Sequence, residues 1–157
     1  MPFISEKIPT FEEFANASIE EIYGEEIVDA YERKVTSFES IILINKGENK
    51  FEIEKLPPLA QSIPILTSET YDINEDGYED VIVGGNIYNT EVETPRLDNQ
   101  FALLLISDKN KNYSAIGPDK SGLYLSGNTK SLKIIDRKNP KLLVANNNSK
   151  LEVFELN

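Results

Sequence analysis

The sequence predicts a mainly β chain preceded by short N-terminal α-helices, and a change of apolar period carries that expectation. Up to about Lys34, Phe11, Phe14, Ile19, Ile22, Tyr23, Ile27, Val28 and Tyr31 recur mostly at spacings of three to five, which makes one apolar stripe along a helix. From Phe38 onward, apolar residues alternate or run in short blocks between Asn, Lys, Gly and Pro clusters, the pattern of strands and turns.

The helical part has its own start signals. Thr10-Phe11-Glu12-Glu13 and Ser18-Ile19-Glu20-Glu21 both fit a capping box, in which hydroxyl and glutamate satisfy free amides at a helix start. Gly24 can end one helix and let another begin, so two or three short helices are expected between Phe11 and Lys34. Residues 1–36 are read as a helical segment packing on the β part, and 37–157 as the β part itself.

Strands are expected over Phe38 to Asn45 and Lys50 to Glu54, around the turn Lys46-Gly47-Glu48-Asn49. Leu56-Pro57-Pro58 ends the second strand, because proline cannot donate to a ladder. Further strands follow at Ile63 to Tyr71, Asp80 to Asn86, Phe101 to Ser107, Asn112 to Ile116, Leu132 to Asp136, Leu142 to Asn146 and Leu151 to Leu156. Three of the hairpins hold an aromatic in their second strand, Phe51, Tyr113 and Phe154, which reads as a degenerate internal repeat.

Residues 72 to 80, Asp-Ile-Asn-Glu-Asp-Gly-Tyr-Glu-Asp, name a chemistry. A hard divalent cation takes six to eight oxygens in a flexible cage, and alternate positions of a tight loop supply them. Asp72, Asn74, Asp76 and Asp80 would give side-chain oxygens and Tyr78 a backbone carbonyl, so Ca²⁺ is the expected ion. Gly77 stands where the chain must bend and a Cβ would obstruct it. Asp, Asn and Gly also gather in ordinary turns, which is the plainer alternative. An EF-hand would need an acid at its twelfth position and flanking helices; that position is Val83, and both flanks read as strands. The loop therefore joins two strands.

A strand, such a loop closed by Asp, and a strand ending in Gly84-Gly85 resembles the FG-GAP, or VCBS, repeat of integrin-like β-propellers. The segment from Pro9 to Phe154 further resembles the C-terminal part of bacterial VCBS-repeat proteins related to the ASPIC/UnbV family. It does so through Pro9-Thr10-Phe11-Glu12-Glu13-Phe14-Ala15, Asn45-Lys46-Gly47-Glu48-Asn49-Lys50-Phe51, Glu91-Val92-Glu93-Thr94 and Leu143-Val144-Ala145-Asn146-Asn147-Asn148. The resemblance implies a non-catalytic, calcium-stabilised propeller module for protein or carbohydrate binding or scaffolding. It also implies a piece of a longer exported protein, extracellular, periplasmic or on the cell surface. On that plan residues 63–116 make one complete four-stranded blade, 38–55 two strands of a preceding blade and 131–156 three of a following one, a partial propeller of two to three blades. Its end faces call for the N-terminal helices, further blades, another copy of the chain or a partner.

Composition narrows the classes. Net charge is −11 over 157 residues, which repels nucleic acid and anionic membrane. No apolar run is long enough to span a bilayer, and the first residues lack the plan of a signal peptide. Zero Cys removes thiolate zinc sites and cysteine nucleophiles, and zero His removes Ser-His-Asp catalysis and His-ligated zinc. The chain is read as no enzyme. The connection Ile87 to Gln100, longer than a hairpin needs, carries Tyr88, Glu91, Glu93, Arg96 and Asp98, and long loops on a rigid sheet are where ligands bind. The alternatives are a glycan-processing enzyme or lyase using Glu91 and Glu93, a second cation site, or a solvated loop. Asp108, Asn110 and Asn112 alternate but lack the glycine and closing acid, and read as a turn.

Overall fold

The computed structural model describes residues 2–99 and 101–156. The chain divides into two units, Met1–Phe38 and Glu39–Asn157. In the first, local capping sets the elements: α1 (Pro2–Lys7), α2 (Phe11–Asn16), α3 (Ile19–Tyr23) and a 3₁₀ segment (Gly24–Asp29). Both predicted capping boxes form, on Thr10 with Glu13 and on Ser18 with Glu21. Gly24 closes α3 at φ +70°, a conformation that costs glycine least. Lys7 Nζ donates to the Ile22 carbonyl at 3.1 Å, tying α1 to α3. None of the residues in α2, α3 or the 3₁₀ segment is buried, and α1 precedes the region where helices were expected.

The second unit is mainly β and antiparallel. β1 (Ile41–Asn45) and β2 (Phe51–Lys55) form a two-stranded sheet. β3 (Thr67–Tyr71), β4 (Asp80–Gly84), β5 (Ala102–Ser107) and β6 (Tyr113–Ile116) form a four-stranded meander. A three-stranded meander follows, of β7 (Thr129–Ile135), β8 (Lys141–Asn146) and β9 (Glu152–Glu155). Each predicted strand is present, with shifted ends. β3 starts at Thr67, not Ile63, because Pro64 has no N–H to give a ladder. Two helical turns open on proline where only strand breaks were expected: α4 (Pro58–Gln61) and α5 (Pro118–Ser121).

The central strands of the four-stranded sheet, β4 and β5, are buried on both faces, which explains their near-continuous apolar sequence. On one face Ile82, Ala102 and Leu104 pack with Leu132, Ile134, Leu142 and Val144 of the three-stranded sheet, and Leu123 and Leu125 fill between. On the other, Val83, Leu103 and Leu105 pack with Leu56, Ala60, Ile63 and the half-buried Ile42.

The first strands of the two larger sheets meet side by side. Thr67 Oγ1 of β3 accepts from the Leu132 amide of β7 at 3.0 Å, and Glu69 accepts from the Ile134 amide at 3.2 Å. Lys133 Nζ adds an ion pair to Glu69 at 2.9 Å. Side chains at alternate positions of β3 thus satisfy the edge amides of β7. Of the three hairpin aromatics, Phe51 faces Asn45 and Tyr113 faces Ser107 at the strand mouths, whereas Phe154 sits deeper, opposite Leu142.

Candidate functional site

The β3–β4 connection is built from short polar side chains that bond their own backbone. Asp72 Oδ1 accepts from the Asp76 amide at 3.0 Å, and Oδ2 from the Gly77 amide at 2.8 Å. Asn74 Oδ1 also accepts from the Asp76 amide, at 3.1 Å, while its Nδ2 donates to Asp76 Oδ2 at 3.0 Å. The other oxygen of Asp76 accepts from the Tyr78 amide at 2.9 Å. The turn requires left-handed backbone at Glu75, φ +58°, and at Gly77, φ +90°. A Cβ on Gly77 would meet nothing within 4 Å, which corrects the expectation of an obstructed Cβ: backbone torsion alone selects glycine there.

Asp80 differs from the other acids in this loop. It is fully buried, and its two oxygens accept from the Ile73 amide at 3.0 Å and the Ser107 amide at 2.8 Å. One carboxylate thereby closes the loop and fastens it to β5. Its charge is felt by Tyr113, whose phenol is raised above its ordinary pKa by burial first and by Asp80 second. At the loop's far end, Arg137 lies 3.6 Å from Glu79 and donates to the Thr70 carbonyl at 3.3 Å.

In this conformation no group of three or more acids among the described residues is gathered to hold a metal ion. The donor set nonetheless fits a hard cation. Each oxygen of Asp72 and Asp80, and Asn74 Oδ1, has one or more lone pairs left after the bonds above. Asp76 Oδ2 takes the amide end of Asn74 as its partner. Asp72, Asn74, Asp76, Tyr78 and Asp80 stand within one turn whose backbone is already folded.

No family model, curated protein or solved structure matches this chain.

The long β4–β5 connection lies at the opposite end of β4 from this loop. It is pinned at its base by the pair Ile87 and Leu97, which exchange backbone bonds at 2.9 and 2.8 Å. Tyr88, Arg96 and Asp98 come together. The Tyr88 hydroxyl donates to Asp98 at 3.0 Å, Arg96 pairs with Asp98 at 3.0 Å, and the Arg96 guanidinium sits 4.6 Å from the centre of the Tyr88 ring. Burial, and then the bond to Asp98 and its charge, push the Tyr88 phenol up against the opposing pull of Arg96. Glu91 and Glu93 do not join them; they are exposed at the tip, on either side of a fully exposed Val92. Gln100 lies outside the described residues.

One residue that sequence reasoning passed over organises this end. Asn86 is buried; its Nδ2 donates to the Gly127 carbonyl at 2.7 Å and its Oδ1 accepts from the Asn99 amide at 3.1 Å. Lys130 Nζ donates to its carbonyl at 2.8 Å. An asparagine directly after Gly84-Gly85, at the end of an apolar strand, was the available signal, since a buried amide there must find partners. Asp108 behaves as the turn residue expected: the Asn112 side chain, then the Asn112 and Asn110 amides, bond it and hold its carboxyl below the usual range.

Proposed function

We propose that this chain is a non-catalytic calcium-binding module of β-propeller type, similar to FG-GAP or VCBS repeats, that serves protein or ligand binding or scaffolding. The observation that carries this reading is the 72–80 loop. Four oxygen-bearing side chains bond the backbone of one β–β connection, in a four-stranded meander whose central strands are buried on both faces. Calcium would neutralise Asp72, Asp76 and Asp80 together and hold β3 and β4 in register. An exported setting suits such a site, because extracellular calcium modules work with Kd values of about 10⁻⁴–10⁻³ M. The Tyr88–Arg96–Asp98 group supports a rigid β4–β5 loop whose tip, with Glu91 and Glu93, is offered to a partner.

The exposed outer faces of the terminal sheets support an array open at both ends. Ile41, Leu43, Phe51 and Ile53 face out from β1 and β2, and Ile135 and Val153 from β7 and β9. Further blades or a partner chain would cover them.

Calorimetric titration with Ca²⁺ and thermal melts test the calcium reading. Saturation at a hundredfold excess over Kd stabilises the folded state by about 2.7 kcal/mol. EDTA removes that increment, and Asp76→Ala abolishes it. A melting temperature indifferent to both sinks the reading.

A further inference from the structure

Between Lys55 and Arg96 the chain holds no Lys or Arg, although the 72–80 loop within that stretch carries five carboxylates, Asp72, Glu75, Asp76, Glu79 and Asp80. Like charges gathered in one turn oppose its folding. Any basic side chain that offsets them has to come from a distant part of the chain.

The turn between β7 and β8, Asp136-Arg137-Lys138-Asn139-Pro140, is such a part. Arg137 donates to the Thr70 carbonyl at 3.3 Å and lies 3.6 Å from Glu79, so it reaches the loop from both of the strands that flank it. Lys138 lines the same groove as Asp72 and Glu75. Asp136 is folded back on its own turn, where its carboxylate accepts from the Lys138 amide at 3.3 Å, and the turn keeps one net positive charge. An exposed ion pair alone contributes little, so the effect lies in the summed charge of loop and turn.

We propose that Arg137 and Lys138 are the resident counter-charge of the 72–80 loop: they help hold it folded without metal, and they weaken its affinity for a divalent cation. The second half rests on the calcium reading, whereas the first stands without it. A cation seated among Asp72, Asp76 and Asp80 is repelled by both side chains of the turn. Two unit charges acting on a divalent ion over a separation on the order of 10 Å change its affinity about sevenfold at an ionic strength of about 0.01 M, and about twofold at about 0.15 M. The β3–β4 loop is in this way tuned by the sheet that follows it.

The test compares the whole chain with Arg137→Gln/Lys138→Gln, both at exposed positions. In EDTA at low salt the double variant melts about 2–4 °C lower, and the deficit closes as salt is raised. Lys150→Gln, in the β8–β9 turn at the other end of that sheet, shows no salt-dependent deficit. Because the charge of Arg137 also reaches Glu69, the melts are repeated in a Glu69→Gln background, where the deficit persists. Calorimetric titration with Ca²⁺ gives the double variant a Kd about sevenfold lower at low salt, narrowing to about twofold at physiological salt. A deficit that ignores salt, that vanishes without Glu69 or that Lys150→Gln reproduces overturns the proposal. Calcium binding that is unchanged or weaker in the double variant overturns it as well. A wild type that binds no calcium removes the calcium reading alone, and the melts in EDTA then decide the counter-charge.

Discussion

At Asp80 one buried side chain holds two backbone donors 34 residues apart in sequence, the half-buried Ile73 and the buried Ser107. Truncation leaves both without a partner, and a buried unsatisfied donor costs about 1–3 kcal/mol. Asp80→Ala should therefore destabilise the second unit by about 2–5 kcal/mol, a large share of a typical domain stability of about 5–15 kcal/mol. Urea denaturation measures it, and an unchanged midpoint contradicts the assignment. Two glycines separate two causes of glycine selection. Gly85 has φ +151°, and a Cβ there would stand 2.7 Å from Leu66 Cβ and Cγ. Gly77 has φ +90° with open space around it. Gly85→Ala should cost about 2–4 kcal/mol, torsion plus clash, and Gly77→Ala only about 1–2 kcal/mol of torsion. Equal losses in parallel melts would show that the Leu66 contact relaxes.

The junction between β3 and β7 shows how one element is held to another without a shared ladder. Burial alone would raise the pKa of Glu69. The Lys133 bond, the Ile134 amide, and the charges of Lys133 and Arg137 outweigh it and hold the carboxyl below its ordinary value of 4.5. A carboxyl with a depressed folded pKa stabilises above its unfolded pKa, and that contribution disappears as pH falls through the lower folded value. The stability gap between wild type and Glu69→Gln should accordingly be widest at about pH 6 and close towards about pH 3. A gap that stays constant over this range would mean that the carboxyl's charge does not hold β3 to β7. Because Glu69 also bonds the Ile134 amide, glutamine keeps part of the joint, and the pH dependence isolates the charge.

Over the whole molecule, a net charge of −11 opposes the apolar faces at the two ends of the β unit. Leu43 is 56% and Ile53 63% exposed on the outer face of β1 and β2. At low salt repulsion keeps copies apart; at physiological salt the screening length is about 8 Å and the faces can meet. Mass by light scattering should rise with salt and protein concentration. Ile53→Lys should suppress that rise while changing stability by less than about 0.5 kcal/mol, as for most exposed sites. A mass that follows salt equally in both proteins would point to another surface.

Local chemistry was legible in the order of residues: both capping boxes, each hairpin turn, each strand and the inward-bonding Asp/Asn/Gly loop follow from neighbours a few positions apart. The sequence by itself thus determined a mainly β chain with a helical start and one acidic loop between strands. It could not rank the acids of that loop, because the burial of Asp80 depends on Ser107, 27 residues away. Nor could it separate Tyr88, Arg96 and Asp98, which join, from Glu91 and Glu93, which do not. The partners of Asn86 and Glu69 were invisible for the same reason: Gly127 and Ile134 lie 41 and 65 residues on. Only the tertiary structure decided these, since periodicity and turn chemistry report the near neighbours of a residue, and burial is set by whatever distant strand comes to lie against it.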